Sequence, residues 1–170
     1  MPFTPFHFGP GVAIKAVIPA HFSLSVFCFA QVVVDAEVLV HMSRGETRLH
    51  QHLHTYAGAL GVAAISLAVG WPLCQRLLRW WCAQANMPLR EIYSLSAVIT
   101  PIQAITGALL GSLTHVVLDS IMHADLRPWA PFNKSNVLYE IVHPGSLHLA
   151  CVLLGVLGLW LCSKWKPGTL

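Results

Sequence analysis

Three polar side chains stand at a regular spacing in the apolar stretch LTHVVLDSIMHAD, residues 113–125. His115, Asp119 and His123 follow one another at intervals of four residues, so a helix here would place them on one face, each about one turn apart. A buried imidazole or carboxylate is costly unless it is paired, hydrogen-bonded or bound to a metal ion. The stretch therefore predicts polar partners elsewhere in the chain.

Further imidazoles and carboxylates supply candidates for those partners. His50 and His54 repeat the four-residue spacing, and Asp35 stands about two helical turns inside an apolar segment, where an ionisable side chain is a functional hypothesis by default. Glu37 is about 200° round the helix from Asp35, so at most one of the two faces a given metal ion. Imidazoles and carboxylates are ligands of zinc, manganese or iron. An interfacial histidine-rich loop and an interhelical hydrogen bond of Asp35 remain the alternatives.

The composition is that of a membrane protein. Only 10% of the residues are charged and 55% are hydrophobic, far from the soluble average. Four uncharged runs, residues 16–34, 55–75, 92–118 and 141–163, approach or exceed the roughly 20 residues that cross a bilayer as a helix. The sequence therefore predicts an all-α, polytopic integral membrane helix bundle of about four to five transmembrane helices, in one domain that covers residues 1–170.

The helices that carry the candidate residues can be placed approximately. We predict helices at residues 6–18, 21–42, from 50–54 to 77, 97–123 and 144–162, the first of which spans with a tilt or inserts partway. Basic residues cluster after the third and fifth helices, which makes that side cytoplasmic by the positive-inside rule: Arg76, Arg79, Arg90, Lys164 and Lys166. The candidate site then lies toward the non-cytoplasmic face. The N-terminal stretch MPFTPFHFGPG lacks a basic region, so we expect no cleaved signal peptide.

Two other kinds of function find little support in the sequence. The formal charge of +3 is spread over ten Lys and Arg residues without a basic tract, so we expect no nucleic-acid partner. The five cysteines form no C-x-x-C pair, and we interpret them as small buried side chains rather than as zinc ligands.

The motifs, taken in order, resemble the family of predicted membrane-bound metal-dependent hydrolases, which includes a LexA-regulated bacterial inner-membrane protein. Members carry an N-terminal His, an Asp-x-Asp element, an H-x-x-x-x-T-H element and a late H-x-x-x-D. In this chain Glu37 replaces the second Asp, and the spacing from His50 to His54 is tighter than that of the family element. The family is in turn similar to zinc-dependent phospholipases C and single-strand nucleases. The matching residues are His7 in PFHFGPG, Asp35 with Glu37 in VVVDAEV, His50 and His54 in HQHLHTY, and His115 with Asp119 in LTHVVLDS.

The resemblance implies a hydrolase of the bacterial inner membrane that acts on a phosphoester or another amphiphilic, lipid-type substrate. Its divalent metal, zinc or manganese, would be held by five ligands, and Glu37 or His50 would serve as general base or second-site ligand. Arg127 would clamp an anionic headgroup beside Trp129, unless it only anchors the chain at the interface. The five expected ligands are His7, Asp35, His54, His115 and Asp119.

Two rival functions use the same residues. In a divalent-metal transporter or metal-handling protein, the polar side chains would continue through the membrane depth, whereas the inner parts of the third and fifth helices are almost purely apolar. In a non-catalytic helix bundle, Asp35 and Asp119 would satisfy one another's polar groups between helices. The sequence leaves both alternatives open.

Overall fold

The computed structural model describes residues 5–84 and 98–164, which form helices and turns without a strand. A 3-10 turn precedes the first helix, and a π-helical turn at Ser66–Gly70 interrupts the third. The architecture confirms the predicted all-α class. The five helices are α1 (Phe8–Val17), α2 (Leu24–Ser43), α3 (Tyr56–Gln84), α4 (Pro101–Met122) and α5 (Pro144–Cys162).

Four of these helices, α2 to α5, are long and apolar enough to cross a membrane, as a multi-pass protein requires. The ten residues of α1 reach only about 15 Å. Burial differs strongly among the four. Only 11% of the most apolar window of α5 is buried inside the protein, against 44% in α2 and in α4. The helices α2 and α4 are therefore central, and α5 presents most of its surface outward.

Side-chain caps decide where the long helices begin. Ser23 accepts a hydrogen bond from the backbone N–H of Val26, and Thr55 accepts one from that of Gly58. The predicted start of the second helix near His21 is thus three residues early. The third helix begins at Tyr56, so the whole stretch 50–54 lies in the loop before it. His50 and His54 are not the helical pair that their spacing suggested.

Glycines allow α2 and α4 to approach one another closely. A Cβ atom added at Gly107 would lie 2.6 Å from the carbonyl oxygen of Ser23, and one added at Gly111 would lie 2.6 Å from that of Phe27. The two helices run in the same direction, because later residues of α4 meet later residues of α2. Small residues at a four-residue spacing typically mediate such packing in membranes. Continued along both helices, this register sets His115 against Gln31 and leaves it in contact with Asp35 one turn later in α2.

The same end of the bundle collects the polar side chains. Helices α2 and α4 end there, whereas α3 begins there, as the contact of His54 with Asp119 shows. The 3-10 turn before α1 also lies there, because His7 contacts Asp119. The ring of Phe6 packs against His148 near the start of α5, with ring centroids 4.9 Å apart. Five separate elements therefore deliver residues to one end.

Candidate metal centre

Four buried side chains come together at this end and form what we call the inner cluster: Asp35, His54, His115 and Asp119. One ligand atom from each lies within 4.8 Å of the corresponding atoms of the others. Asp119 Oδ2 lies 3.2 Å from His115 Nε2 and 3.4 Å from His54 Nε2. Asp35 Oδ1 lies 3.4 Å from His115 Nε2. Four of the five predicted metal ligands thus share one site.

The spacing within the inner cluster suits a metal ion better than hydrogen bonds. Two ligand atoms on a tetrahedral zinc, each roughly 2.0–2.1 Å from the ion, are about 3.3 Å apart. Charge-assisted N–H···O bonds are shorter, about 2.7–2.9 Å. The Nε2 atoms of His54 and His115 are buried and have no hydrogen-bond partner among the described residues. Buried polar atoms rarely stay unpaired, so the donor set fits a divalent cation.

The opposite nitrogen of His54 is held by Glu37. Glu37 Oε2 lies 3.0 Å from His54 Nδ1, and the same carboxylate accepts the backbone N–H groups of Gln51 at 3.2 Å, His52 at 2.7 Å and Leu53 at 3.0 Å. A carboxylate behind a metal-ligating imidazole fixes the ring orientation and directs Nε2 to the ion. Glu37 therefore stands behind the cluster, while Asp35 faces into it, as the 200° separation predicts.

His115 is held in the same way by a residue that the sequence analysis missed. Gln31 Oε1 lies 2.5 Å from His115 Nδ1, and the Gln31 side chain is fully buried in α2. Its position one helical turn before Asp35 was the available signal, because residues four apart share a helix face. Both imidazoles of the inner cluster thus present Nε2 to the same point.

His7 adds a third imidazole at the edge of the inner cluster. Its Nε2 lies 3.5 Å from Asp119 Oδ1, and its ring stands edge-on to His115 with centroids 4.8 Å apart. Both of its ring nitrogens are buried without a hydrogen-bond partner among the described residues. Burial lowers the pKa of His7 to about 4, although Asp119 opposes this shift. The neutral ring keeps a lone pair for a metal ion.

His50 belongs to a second group, the flanking cluster, which contains His50, His123 and Asp125. Asp125 holds His50 Nδ1 at 2.9 Å, and the rings of His50 and His123 stack at 4.3 Å. His50 Nε2 lies 4.0 Å from Asp119 Oδ2, so His50 borders both clusters. The prediction that His123 shares the helical face of His115 is wrong, because α4 ends at Met122 and His123 has an extended backbone.

The predicted substrate-binding residues lie in the loop between α4 and α5. The side chain of Arg127 is half-buried and makes no ion pair among the described residues. The indole of Trp129 is 51% exposed and packs edge-on against Tyr56, with ring centroids 4.6 Å apart. Tyr56 also donates its backbone N–H to the Pro128 carbonyl. These contacts attach the loop to the start of α3, next to His54.

No family model, curated protein or solved structure matches this chain in the comparisons with known proteins. The resemblance to membrane-bound hydrolases accordingly rests on the short motifs quoted above. Fold kinship alone would not fix a substrate in any case. The function is therefore argued from the chemistry of the site.

Proposed function

We propose that this protein is a multi-pass membrane hydrolase that depends on a divalent metal, zinc or manganese, bound by the inner cluster and His7. The proposal rests on one observation above all: unpaired, buried Nε2 atoms converge on two carboxylates. A non-catalytic bundle would compensate these polar atoms only with protonated imidazoles paired to Asp35 and Asp119. A bound cation satisfies them at once.

The chemistry follows from the ligand set. A divalent metal in such a site lowers the pKa of water toward neutrality and polarises the group to be cleaved. Glu37 is occupied by four donors, which favours a positioning role over proton transfer. His50 has its Nε2 near Asp119 and its Nδ1 on Asp125, which makes it the better candidate for general base or second-site ligand.

An amphiphilic substrate, with a phosphoester as the preferred bond, suits the position of the cluster. The cluster lies at one end of helices that can span a bilayer, which is the depth expected for a lipid headgroup whose acyl chains remain in the hydrocarbon. Apolar side chains project from the adjacent loop, with Phe132 90% exposed and Trp129 51% exposed. Such side chains anchor at membrane interfaces, and Arg127, two residues before Trp129 in the same loop, is suited to bind an anionic group.

A metal transporter is the rival proposal, and the distribution of charge argues against it. Within residues 5–84 and 98–164, every buried histidine, aspartate and glutamate lies at the end that carries the inner cluster. The opposite half of α2 and α3 instead borders an open surface groove of about 560 Å³ with an almost entirely apolar lining, which includes Phe29, Val32 and Leu78. A permeation path would need polar groups there. The hydrolase is therefore the function that we propose.

The decisive experiment measures metal content and hydrolysis on the same purified protein. We expect about one or more equivalents of zinc or manganese by elemental analysis, and chelator-sensitive release of phosphate or headgroup from a phospholipid library in liposomes. Asp35→Asn, His54→Ala and Asp119→Asn should each abolish turnover without unfolding the protein, while His21→Ala should leave it intact. Metal-loaded protein that hydrolyses none of the lipids but carries divalent ions across liposomes would establish the transporter instead.

We further propose that the bacterial inner membrane holds this protein with the site facing away from the cytoplasm. The support is the basic cluster near the end of α3, where Arg76 and Arg79 stand beside Trp80 and Trp81. Arg90, Lys166 and Thr169 lie outside the described residues. Cysteine labelling at Ser135 and at Thr169 should succeed from opposite sides of the membrane. Labelling of both positions from one side would refute this orientation.

A further inference from the structure

Gln31 is an uncharged amide enclosed in the apolar helix α2. Its side chain is 1% exposed, and a buried amide without partners would cost several kcal/mol. Both ends of the amide are bonded to α4. Oε1 lies 2.5 Å from His115 Nδ1, and Nε2 lies 3.3 Å from the hydroxyl oxygen of Thr114. Gln31 thus connects two consecutive residues of the neighbouring helix.

The hydroxyl of Thr114 determines which way round this amide must stand. It lies 2.5 Å from the carbonyl oxygen of Leu110, one turn earlier in α4. A carbonyl oxygen only accepts hydrogen bonds, so the single hydroxyl hydrogen of Thr114 is donated to it. The Thr114 oxygen can then only accept from Gln31. The NH₂ group of Gln31 must face Thr114, and its carbonyl oxygen must face His115.

The direction of donation continues into the imidazole. Because the Gln31 oxygen only accepts, His115 Nδ1 must carry the hydrogen. In a neutral imidazole the other nitrogen then holds the lone pair. That nitrogen, Nε2, lies 3.2 Å from Asp119 Oδ2 and 3.4 Å from Asp35 Oδ1, where the metal is proposed. A helix carbonyl, which cannot reverse its polarity, thereby fixes the ligand atom.

We propose that Leu110, Thr114 and Gln31 form a relay that holds His115 in the tautomer able to bind the metal, with Thr114 and Gln31 as positioning residues. This inference rests on the proposed metal-dependent function and adds how one ligand is prepared. The relay also explains why His115 Nδ1 is held by the amide of Gln31, whereas His54 Nδ1 is held by the carboxylate of Glu37. His115 already contacts two carboxylates, and a third would add like-charge repulsion in a dry site.

The first test measures the tautomer without any metal. Nitrogen-15 chemical shifts of histidine-labelled, metal-free protein in detergent distinguish an Nδ1–H ring from an Nε2–H ring, and His115→Asn assigns the signal. We expect His115 to be protonated on Nδ1 in the wild type. In Thr114→Val and Gln31→Met we expect a mixture of both tautomers. A neutral wild-type ring protonated on Nε2 alone, at a pH where no imidazolium signal remains, would overturn the relay.

The second test measures metal affinity, with Co²⁺ as the probe through its visible absorption and with Zn²⁺ by competition. Loss of an outer partner of a metal-ligating histidine typically costs about 10–100-fold in affinity, which we expect for Gln31→Met. Thr114→Val should cost less, about tenfold. Gln31→Glu restores an acceptor for Nδ1–H but adds a third carboxylate and cannot donate to Thr114, so it should recover only part of the affinity lost in Gln31→Met.

Ser112→Ala is the matched control for the loss of a hydroxyl in α4. Ser112 is fully buried and donates to the Ala108 carbonyl at 3.0 Å, the same bond to the preceding turn that Thr114 makes, yet its hydroxyl has no hydrogen bond to a described residue of the relay. Its removal should leave both tautomer and affinity unchanged. Thr114→Val keeps the side-chain shape and decides the question if Gln31→Met does not fold.

The outcomes separate this inference from the proposed function. If wild-type protein binds metal and neither variant changes the tautomer or the affinity, the relay is refuted while the metal site stands. If the wild type binds no metal but His115 shows the Nδ1–H tautomer that Thr114→Val disturbs, the relay is supported and the proposed function fails.

Discussion

The inner and flanking clusters are neighbours at one end of the bundle, yet they satisfy their polar atoms differently. In the inner cluster, the Nδ1 atoms of His54 and His115 have partners while their Nε2 atoms have none among the described residues. In the flanking cluster, Asp125 receives His50 Nδ1 together with the backbone N–H groups of Leu49 and His50. Asp125 is also partly exposed, so water can complete its bonding.

This difference shows why similar residue types need not make equivalent sites. Buried donors and acceptors that lack protein partners require an ion or an ordered water, whereas a carboxylate that already accepts three hydrogen bonds does not. Burial alone would raise the pKa of Asp125, but the hydrogen bonds from His50 lower it below its ordinary value. We therefore interpret Asp125 as the residue that secures the loop of His50, and the inner cluster as the metal site.

The largest expected effect is loss of the metal when the inner cluster is broken. His115→Ala or Asp119→Ala removes a ligand atom, so affinity for zinc or manganese should fall more than the roughly 100-fold that marks the loss of an outer partner. His123→Ala in the flanking cluster is the matched control and should retain the metal. Elemental analysis and competition with a chelating dye measure both. If His123→Ala lost as much metal as His115→Ala or Asp119→Ala, the distinction between the two clusters would be contradicted.

The next effect concerns the support behind His54. Glu37→Gln keeps an acceptor oxygen but can no longer receive all four donors, so metal affinity should fall by about 10–100-fold. Glu37→Ala should weaken it further and also lower the free energy of unfolding, because buried N–H groups lose their acceptor. Chelator titration and denaturant unfolding measure the two quantities. His52→Ala, which removes a ring with 86% side-chain exposure, should change neither.

A third, smaller effect is expected in the loop that follows the flanking cluster. Arg127→Ala should raise KM for an anionic lipid substrate by about tenfold and leave kcat unchanged, if the guanidinium binds ground and transition states equally. Steady-state hydrolysis over a range of lipid fractions in liposomes measures both constants. Arg44→Ala, at an exposed position after α2, provides the control. A fall in kcat without a change in KM would instead give Arg127 a role in the reaction itself.

The smallest effect should follow a change within the flanking cluster. Asp125→Asn leaves metal content unchanged but weakens the bonds to His50 and Leu49, which should cost about 1 kcal/mol of unfolding free energy because the carboxylate is partly exposed. Denaturant unfolding with elemental analysis tests both statements. Loss of metal in Asp125→Asn would make Asp125 part of the metal site and would remove the contrast drawn above.

The sequence alone determined the class of fold and the membrane-spanning segments. Uncharged runs of about 20 residues leave a helix as the natural way to satisfy the backbone in hydrocarbon. The helices α2, α4 and α5 lie within or close to the predicted ranges, whereas α3 continues to Gln84, beyond its predicted end at residue 77. The prediction that His115 and Asp119 face the same way is also confirmed, because residues four apart share one face of a regular helix. These features depend on local periodicity, which a sequence displays directly.

Tertiary structure decided how the site is assembled. His54 reaches the inner cluster from a loop, because Thr55 caps α3 after it, and His123 leaves the face of His115, because α4 ends first. The partnership of Gln31 with His115 depends on the close approach that Gly107 and Gly111 permit. Residue spacing describes neighbours along one helix, but only the packing of two helices determines which nitrogen of an imidazole is occupied and which remains free.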